Sequence, residues 1–258
     1  GSVDCRVLDL SDLASVRRFA DGFRKEHTEL HCLVNNAGIM ALPEKQLSKD
    51  GFEKQFAVNH LGHFELTKQL WPLLSAADEA RVVSVSSDAH FIVPPSSDPL
   101  ADFNSEEKYE PWMAYGRSKL FNVLFAKELA RRTPQSSKVV AASLHPGVVS
   151  TELGRSYFVP PEACGAIGSV DCSGALSAPQ KAGLLVFSPL LLYSAKTPAQ
   201  GAMTQVKCAA ASGFGAEIDG KYLRDCKVAD SSPLGSDEKL AGRLWELSEK
   251  LTGSKFVV

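Results

Sequence analysis

The chain has 258 residues, 44% of them hydrophobic, which suits one α/β domain with a sizeable buried core. Its formal net charge is -2 with Lys and Arg dispersed, which argues against a nucleic-acid-binding surface. Six cysteines with no Cys-x-x-Cys pair argue against a disulfide scaffold or a zinc site and fit a reducing intracellular setting.

From the N-terminus, Cys5 to Leu10 reads as a short apolar strand, and Ser11-Asp12 as the cap of an amphipathic helix from Leu13 to His27. His31 to Asn35 reads as a buried parallel strand ending in Asn35-Asn36-Ala37-Gly38, which by composition alone is a strand-end turn. Ser48 to Leu74 carries a long helical pattern, with Phe52, Phe56, Leu61, Phe64 and Leu70 on its apolar face and Pro72 marking its end. Asn59 falls mid-helix, where asparagine is a poor helix former. His60 and His63 sit at helical spacing, but nothing else with ligand character lies near them in sequence, so no metal site is expected. Arg81 to Ser86 is the next strand, and Ser87 emerges at its C-terminal end, where open parallel sheets bind ligands.

Asp88 to Trp112 is polar and Pro-rich and reads as a long excursion near the mouth of a site, in which Tyr109 and Trp112 either touch substrate or pack. Met113 to Arg132 is the next helix. It places Tyr115 and Lys119 one turn apart on one face, while Leu120, Val123, Leu124, Ala126 and Leu129 form core or a paired-helix dimer interface. Lys138 to Leu144 is a buried strand that delivers His145-Pro146-Gly147. Residues 154–198 are rich in Gly, Pro, Ser and apolar residues and read as a substrate-binding lid. The greasiest part, Gly183 to Tyr193, is about half the length that spans a bilayer; it favours a lipophilic substrate and leaves peripheral membrane contact open. Thr197-Pro198 opens a helix to about Ala211, Gly220 to Leu223 is the last strand, and Asp237 to Leu251 closes the single domain 1–258 as an amphipathic helix.

Taken in order, Asn35-Asn36-Ala37-Gly38, Asn59, Ser86-Ser87, Tyr115-Gly116-Arg117-Ser118-Lys119 and His145-Pro146-Gly147 with Val149 and Thr151 resemble the short-chain dehydrogenase/reductase family, from about Asp9 to about Leu251. The wording around Asn59 and Tyr115 is most similar to the retinol-dehydrogenase and WW-domain-containing-oxidoreductase branch. The resemblance implies a doubly wound parallel sheet of Rossmann type and an oxidoreductase that moves hydride between NADP, with NAD as the alternative, and a lipophilic alcohol, aldehyde or ketone such as a retinoid, steroid or lipid carbonyl. It implies Tyr115 as proton donor, Lys119 as the charge that favours its phenolate and bonds the nicotinamide ribose, and Ser87 as the hydroxyl that orients the substrate oxygen. Asn59 would distort its helix and hold a water that connects Lys119 to solvent. Around the cofactor the resemblance places Asp9 at the adenine amino group, Asn36, Ala37 and Gly38 close to the cofactor, and Pro146, Gly147, Val149 and Thr151 at the nicotinamide amide and phosphates, together with Tyr115 and Lys119.

By the same resemblance Cys5 to Leu10 is the third strand, not the first, and the sequence is expected to be N-terminally truncated. The first two strands and the glycine-rich turn that presents amides to the pyrophosphate are absent, and neither Gly213-Phe214-Gly215 nor Gly165-Ala166-Ile167-Gly168 replaces that turn. Without them, Cys5 to Leu10 would have to pair with the strand at His31 to Asn35, or a partner would have to fill the slot. A homodimer stays open, and the expected location is intracellular, cytoplasmic or membrane-associated. Three other readings compete: a non-catalytic binding or scaffold protein on the same fold, an inactive fragment of such an enzyme, and an extended-type epimerase or dehydratase, which shares Tyr-x-x-x-Lys but fits His145-Pro146-Gly147 less well.

Overall fold

The computed structural model describes residues 1–149, 153 and 196–258. Five strands form one sheet in the order β1-β2-β3-β4-β5: Cys32–Asn35, Ala80–Val85, Val139–His145, Tyr222–Arg224 and Lys227–Ala229. The first four are mutually parallel and β5 returns antiparallel on β4. Every residue of β2 is buried, as expected of a parallel strand covered on both faces.

Among the described residues five long helices pack around the sheet. On one face lie α2, which runs through Lys54–Phe56, Ala57–Leu61 and Gly62–Ala76, then α3 (Pro111–Arg132) and α5 (Glu238–Thr252). Phe64, Trp71, Leu74, Phe125, Leu129, Trp245 and Phe256 fill the space between these helices and Val82. On the other face α4 (Pro198–Ala210) sets Cys208 against Val83, Val85, Ala142 and Leu144. Helix α1 (Leu13–Glu26) packs outside α2 through Val16, Ala20, Leu66 and Leu70. Starts are marked by side-chain caps: Asp12 on α1, Glu110 on α3, a Thr197/Gln200 capping box on α4 and Asp237 on α5. Among the described residues no helix is long and apolar enough to cross a membrane, and no group of His, Cys, Asp or Glu is placed to hold a metal ion.

Several expectations from sequence need correction. Cys5 to Leu10 is not a strand: Val3 and Val7 are 92% exposed, and the segment runs along α1 and α2, with Arg6 paired to Glu26 and Leu10 pressed on Gly62. A β run needs a neighbour that completes its backbone hydrogen bonds, and this one neither pairs with β1 nor meets another edge, so β1 is an edge strand of the described sheet. The helix expected from Ser48 starts only at Lys54. Before it, Gly51 at φ +83 turns the chain back so that Leu47 bridges Glu53, whose carboxylate caps Gln55 and Phe56. Pro72 does not end that helix, which continues to Ala76 with one ladder bond forgone. β5 was not foreseen; Asp225 and Cys226, both at positive φ, make a two-residue hairpin turn without glycine.

The apolar face of α3 lies in the chain's own core, with Leu120, Leu124 and Leu129 fully buried. His60 is enclosed by Phe56, Phe121 and Phe125, and burial holds His60 at about 3 and His63 at about 4. The lid expected at 154–198 falls outside the described residues apart from its last three positions, 196 to 198, as does Thr151.

Trp245 carries the contact between α5 and α3: it stacks on Phe125 at 6.0 Å and on Phe256 at 4.7 Å, with the Arg132 guanidinium 4.8 Å above its ring. Trp245→Ala is expected to cost about 3–5 kcal/mol in chemical denaturation. A loss under about 1 kcal/mol would show that α5 is not needed for the fold of the α2 and α3 layer.

Candidate functional site

The C-terminal ends of β1, β2 and β3 and the first turns of α3 converge on one place. Lys119 reaches from α3 to the end of β2, where its Nζ donates to Val85 O at 3.0 Å, and Asn122, one turn further, donates to the same carbonyl at 3.1 Å. In return Ser86 Oγ donates to Lys119 O at 2.7 Å. Ser86 is therefore spent on fastening α3 to the sheet, and it is Ser87 whose hydroxyl acts on Tyr115, favouring its phenolate. Ser87 also caps the 3₁₀ turn Asp88–Ile92 by accepting from Ala89 N.

Gly116 makes this approach possible. A Cβ there would lie 2.7 Å from Ala89 O and 2.7 Å from Ile92 Cγ1, so any side chain would push the Ser87 turn away from Tyr115. Glycine inside a helix costs about 1 kcal/mol relative to alanine, and its place between Tyr115 and Lys119 was the available sign of a close approach. Asp88 and His90, also missed, fasten the far side of the same turn: Asp88 accepts from Tyr222 OH at 2.9 Å, and His90 Nε2 accepts from Ser232 N at 3.0 Å.

Asn59 sits fully buried in the π-helical turn Ala57–Leu61. The distortion expected of its helix is present. Its Oδ1 accepts from Ile39 N at 2.8 Å, and its Nδ2 donates to Ile39 O at 2.9 Å and to Ser118 Oγ at 2.9 Å. These bonds staple the segment after β1 to α3. A Cβ on Gly38 would come 2.9 Å from Asn59 Oδ1 and 3.3 Å from Lys119 Nζ, so Gly38, Asn59 and Lys119 share one pocket of space.

Asn36 and Ala37 lie exposed beside Gly38 at the end of β1. Across the sheet, Pro146 and Gly147 follow β3, with Gly147 at φ +94, and Val149 bridges Lys196 and packs on Gly201. Asp9 stands apart: its carboxylate accepts from the backbone and hydroxyl of Ser11, and it has no bond to the other predicted residues. Tyr109 is an anchor, donating to Leu42 O at 2.7 Å and accepting from Gln55, whereas the Trp112 ring meets Tyr115 edge-on at 6.0 Å.

Burial dominates the electrostatics. It lowers Lys119 to about 8, and it raises Tyr115, against which the Ser87 hydroxyl acts in the lowering direction. Lys119 Nζ stands 5.7 Å from the centre of the Tyr115 ring, and its charge does not overcome the desolvation of the phenolate. The chain by itself thus holds Tyr115 protonated, as a donor. Among the described residues Lys119 has one hydrogen bond, to Val85 O, of the three an ammonium can make, which leaves two donors for a vicinal diol beside Gly38. The described residues fit the nicotinamide end of a dinucleotide. They offer no glycine-rich turn opening a helix for its pyrophosphate.

A family model described as short chain dehydrogenase matches residues 1–97. Retinol dehydrogenase 12 of Homo sapiens is 42% identical over 253 residues, covering 97% of this chain and 70% of that protein. Retinol dehydrogenase 14 of Homo sapiens is 38% identical over 257 residues, covering 98% and 68%. Among solved structures, an uncharacterized protein from Mycobacterium Paratuberculosis aligns with a TM-score of 0.71 at 34% identity, covering 100% of this chain and 78% of that one. The NADPH-bound carbonyl reductase from chicken fatty liver shares the fold, with a TM-score of 0.56 at 20% identity over 87% of this chain and 75% of that one.

Because the folded chain binds the Lys119 proton less tightly than the unfolded chain, unfolding takes up a proton between about pH 8 and the ordinary lysine value of 10.5. Stability must rise with pH across that window from this group. Lys119→Met, with no charge to bury, should gain stability relative to the parent below pH 8, and the difference should narrow towards pH 10.5 in paired denaturant titrations. A difference that stays flat across the window would mean that Lys119 is not desolvated.

Proposed function

Because this chain belongs to the short-chain dehydrogenase/reductase family and to its retinol-dehydrogenase-like branch, we propose that its NAD(P)-dependent oxidoreductase chemistry is carried by Tyr115, Lys119, Ser87 and Asn59 and acts on a lipophilic alcohol, aldehyde or ketone. The observation that carries the reading is the placing of one buried phenol between the Ser87 hydroxyl and the Lys119 ammonium at the ends of β2 and β3. When bound, the nicotinamide supplies or accepts the hydride. Tyr115 gives its proton to the oxygen that becomes an alcohol, or takes one from it in the reverse direction. Ser87 orients that oxygen. Lys119 holds the ribose hydroxyls and stabilises the phenolate left behind, while Asn59 ties the Ile39 backbone, next to Gly38 and the Lys119 head group, to Ser118 of α3.

A lipophilic substrate is supported by the names of the relatives, by the Trp112 ring against Tyr115, and by the apolar sequence of Gly183 to Tyr193. NADP is proposed over NAD on the family resemblance. Asn36, Ala37, Gly38, Pro146, Gly147, Val149 and Thr151 are proposed to line the nicotinamide half, and Asp9 to reach the adenine.

Tyr115→Phe removes the transferable proton without changing the ring. Turnover of a retinoid or aromatic aldehyde is expected to fall by about 10²–10⁴-fold, with NADPH affinity unchanged within about twofold. Comparable turnover by that variant would overturn the assignment. Fluorescence titration with NADPH and NADH alongside a thermal melt supplies the second check: binding that raises the melting temperature supports an enzyme, and no binding by a folded chain supports a scaffold.

A further inference from the structure

The Ser87 turn is held from its far side by the C-terminal hairpin. His90, fully buried on the 3₁₀ turn Asp88–Ile92, has both ring nitrogens engaged: Nδ1 lies 2.6 Å from Ser87 O, and Nε2 accepts from Ser232 N at 3.0 Å. A ring nitrogen that accepts from a backbone amide carries no proton, so the ring is neutral and Nδ1–H donates to the Ser87 carbonyl. Tyr222 of β4 closes over His90 with its ring centre 5.0 Å away. On the other side of Ser87, the Asp88 carboxylate takes the Tyr222 hydroxyl and pairs with Arg224. The residues on either side of Ala89 therefore tie the turn that presents the Ser87 hydroxyl to β4 and to the segment after β5.

We propose that His90 is a positioning residue: by holding the Ser87 carbonyl through Nδ1–H and the Ser232 amide through Nε2, it fixes the turn from which the Ser87 hydroxyl reaches Tyr115, and so sets the hydrogen bonding of the reacting phenol. The proposal rests on the reading of Ser87 and Tyr115 above. It differs from a purely structural role in one respect: a buried histidine that only fills space would alter stability without altering Tyr115. The charged and titratable groups near the turn are Lys119 on α3, His145 on β3, Asp88 itself and Arg224 on β4, and none of them is changed in the variants below.

The test uses the full chain with tyrosine labelled at ¹³Cζ, the Tyr115 resonance being assigned by its loss in Tyr115→Phe. At pH 7.5, Ser87→Ala gives the shift that follows when the phenol loses its hydroxyl partner. His90→Phe, which removes both bonds, is expected to move Tyr115 in the same direction. His90→Asn, whose amide can replace the Nδ1 donor, should return it to the parent position. In turnover assays His90→Phe should lower kcat by about tenfold with KM little changed, the scale of one lost hydrogen bond, and His90→Asn should recover most of that loss. Should His90→Phe fail to fold, His90→Gln, which keeps only the acceptor for Ser232, makes the same comparison against His90→Asn. A Tyr115 resonance that Ser87→Ala moves and the His90 variants leave in place overturns the positioning role. A resonance that Ser87→Ala does not move overturns the pairing of Ser87 with Tyr115 instead.

Discussion

The arrangement depends on how closely α3 can lie against the end of β2. Three polar contacts cross that seam, Lys119 and Asn122 to Val85 O and Ser86 to Lys119 O, and Gly116 leaves room for the following turn. A backbone carbonyl at the end of a parallel strand has no further residue of its own strand to shield it. Two side chains from one helix satisfy it, and the helix register is thereby set to a single value. With that register fixed, Tyr115 can face only the surface that Ser87 also faces. A helix slipped by one residue would turn both side chains by about 100° and leave Val85 O unpaired in the interior.

The buried charges of the chain divide on the same seam. Glu65 pairs with Arg17 and Lys68, Glu128 with Arg131 and Arg132, and Glu249 with Lys255, and in each case the pairing lowers a carboxyl that burial alone would raise. Arg81 is satisfied by Cys208 O and Ala211 O at the C-terminal end of α4, where a cation complements the helix dipole. Among the described residues Lys119 meets no carboxylate and a single carbonyl. A buried ammonium with unused donors is costly to keep, and such a group in a cleft is a mark of function more than of stability.

Most of the framework was legible because it rests on local chemistry. Asp12 and Asp237 announce their helices by the capping rule, and the Val-rich run at the second strand reads as buried on both faces because it is. What failed depended on partners distant in sequence. Cys5 to Leu10 has strand composition but no edge to pair with, so only Leu8 and Leu10 turn inward and its other side chains stay in solvent. Ser48 to Glu53 extends the helical spacing of Phe56 through Phe52 alone, and the Glu53 carboxylate caps the helix from inside the pattern and excludes the residues before it. The β4–β5 hairpin escaped because Asp225 and Cys226 adopt positive φ without a glycine between them. At the site, residue types pointed to Tyr115, Lys119, Ser87 and Asn59, but not to His90, whose partners Ser87 and Ser232 meet only in the fold.

Asn59 shows how the same residue can be poor for a helix and necessary to it. In a regular α-helix its amide would compete with the backbone for hydrogen bonds. The π turn Ala57–Leu61 widens the helix by one residue, and the amide uses the space to bond Ile39 N and O in the manner of a neighbouring strand. The third bond, to Ser118 Oγ, joins this pseudo-strand to α3, and Ser118 in turn donates to Tyr115 O. One side chain thus links the segment after β1, the distorted helix and the backbone of Tyr115. The local cost of the bulge is offset by three hydrogen bonds, one buried and two partly buried, and what it secures is the relative position of Gly38, Lys119 and Tyr115. Helix propensity at Asn59 therefore runs against the fold for the same reason that the site holds its shape.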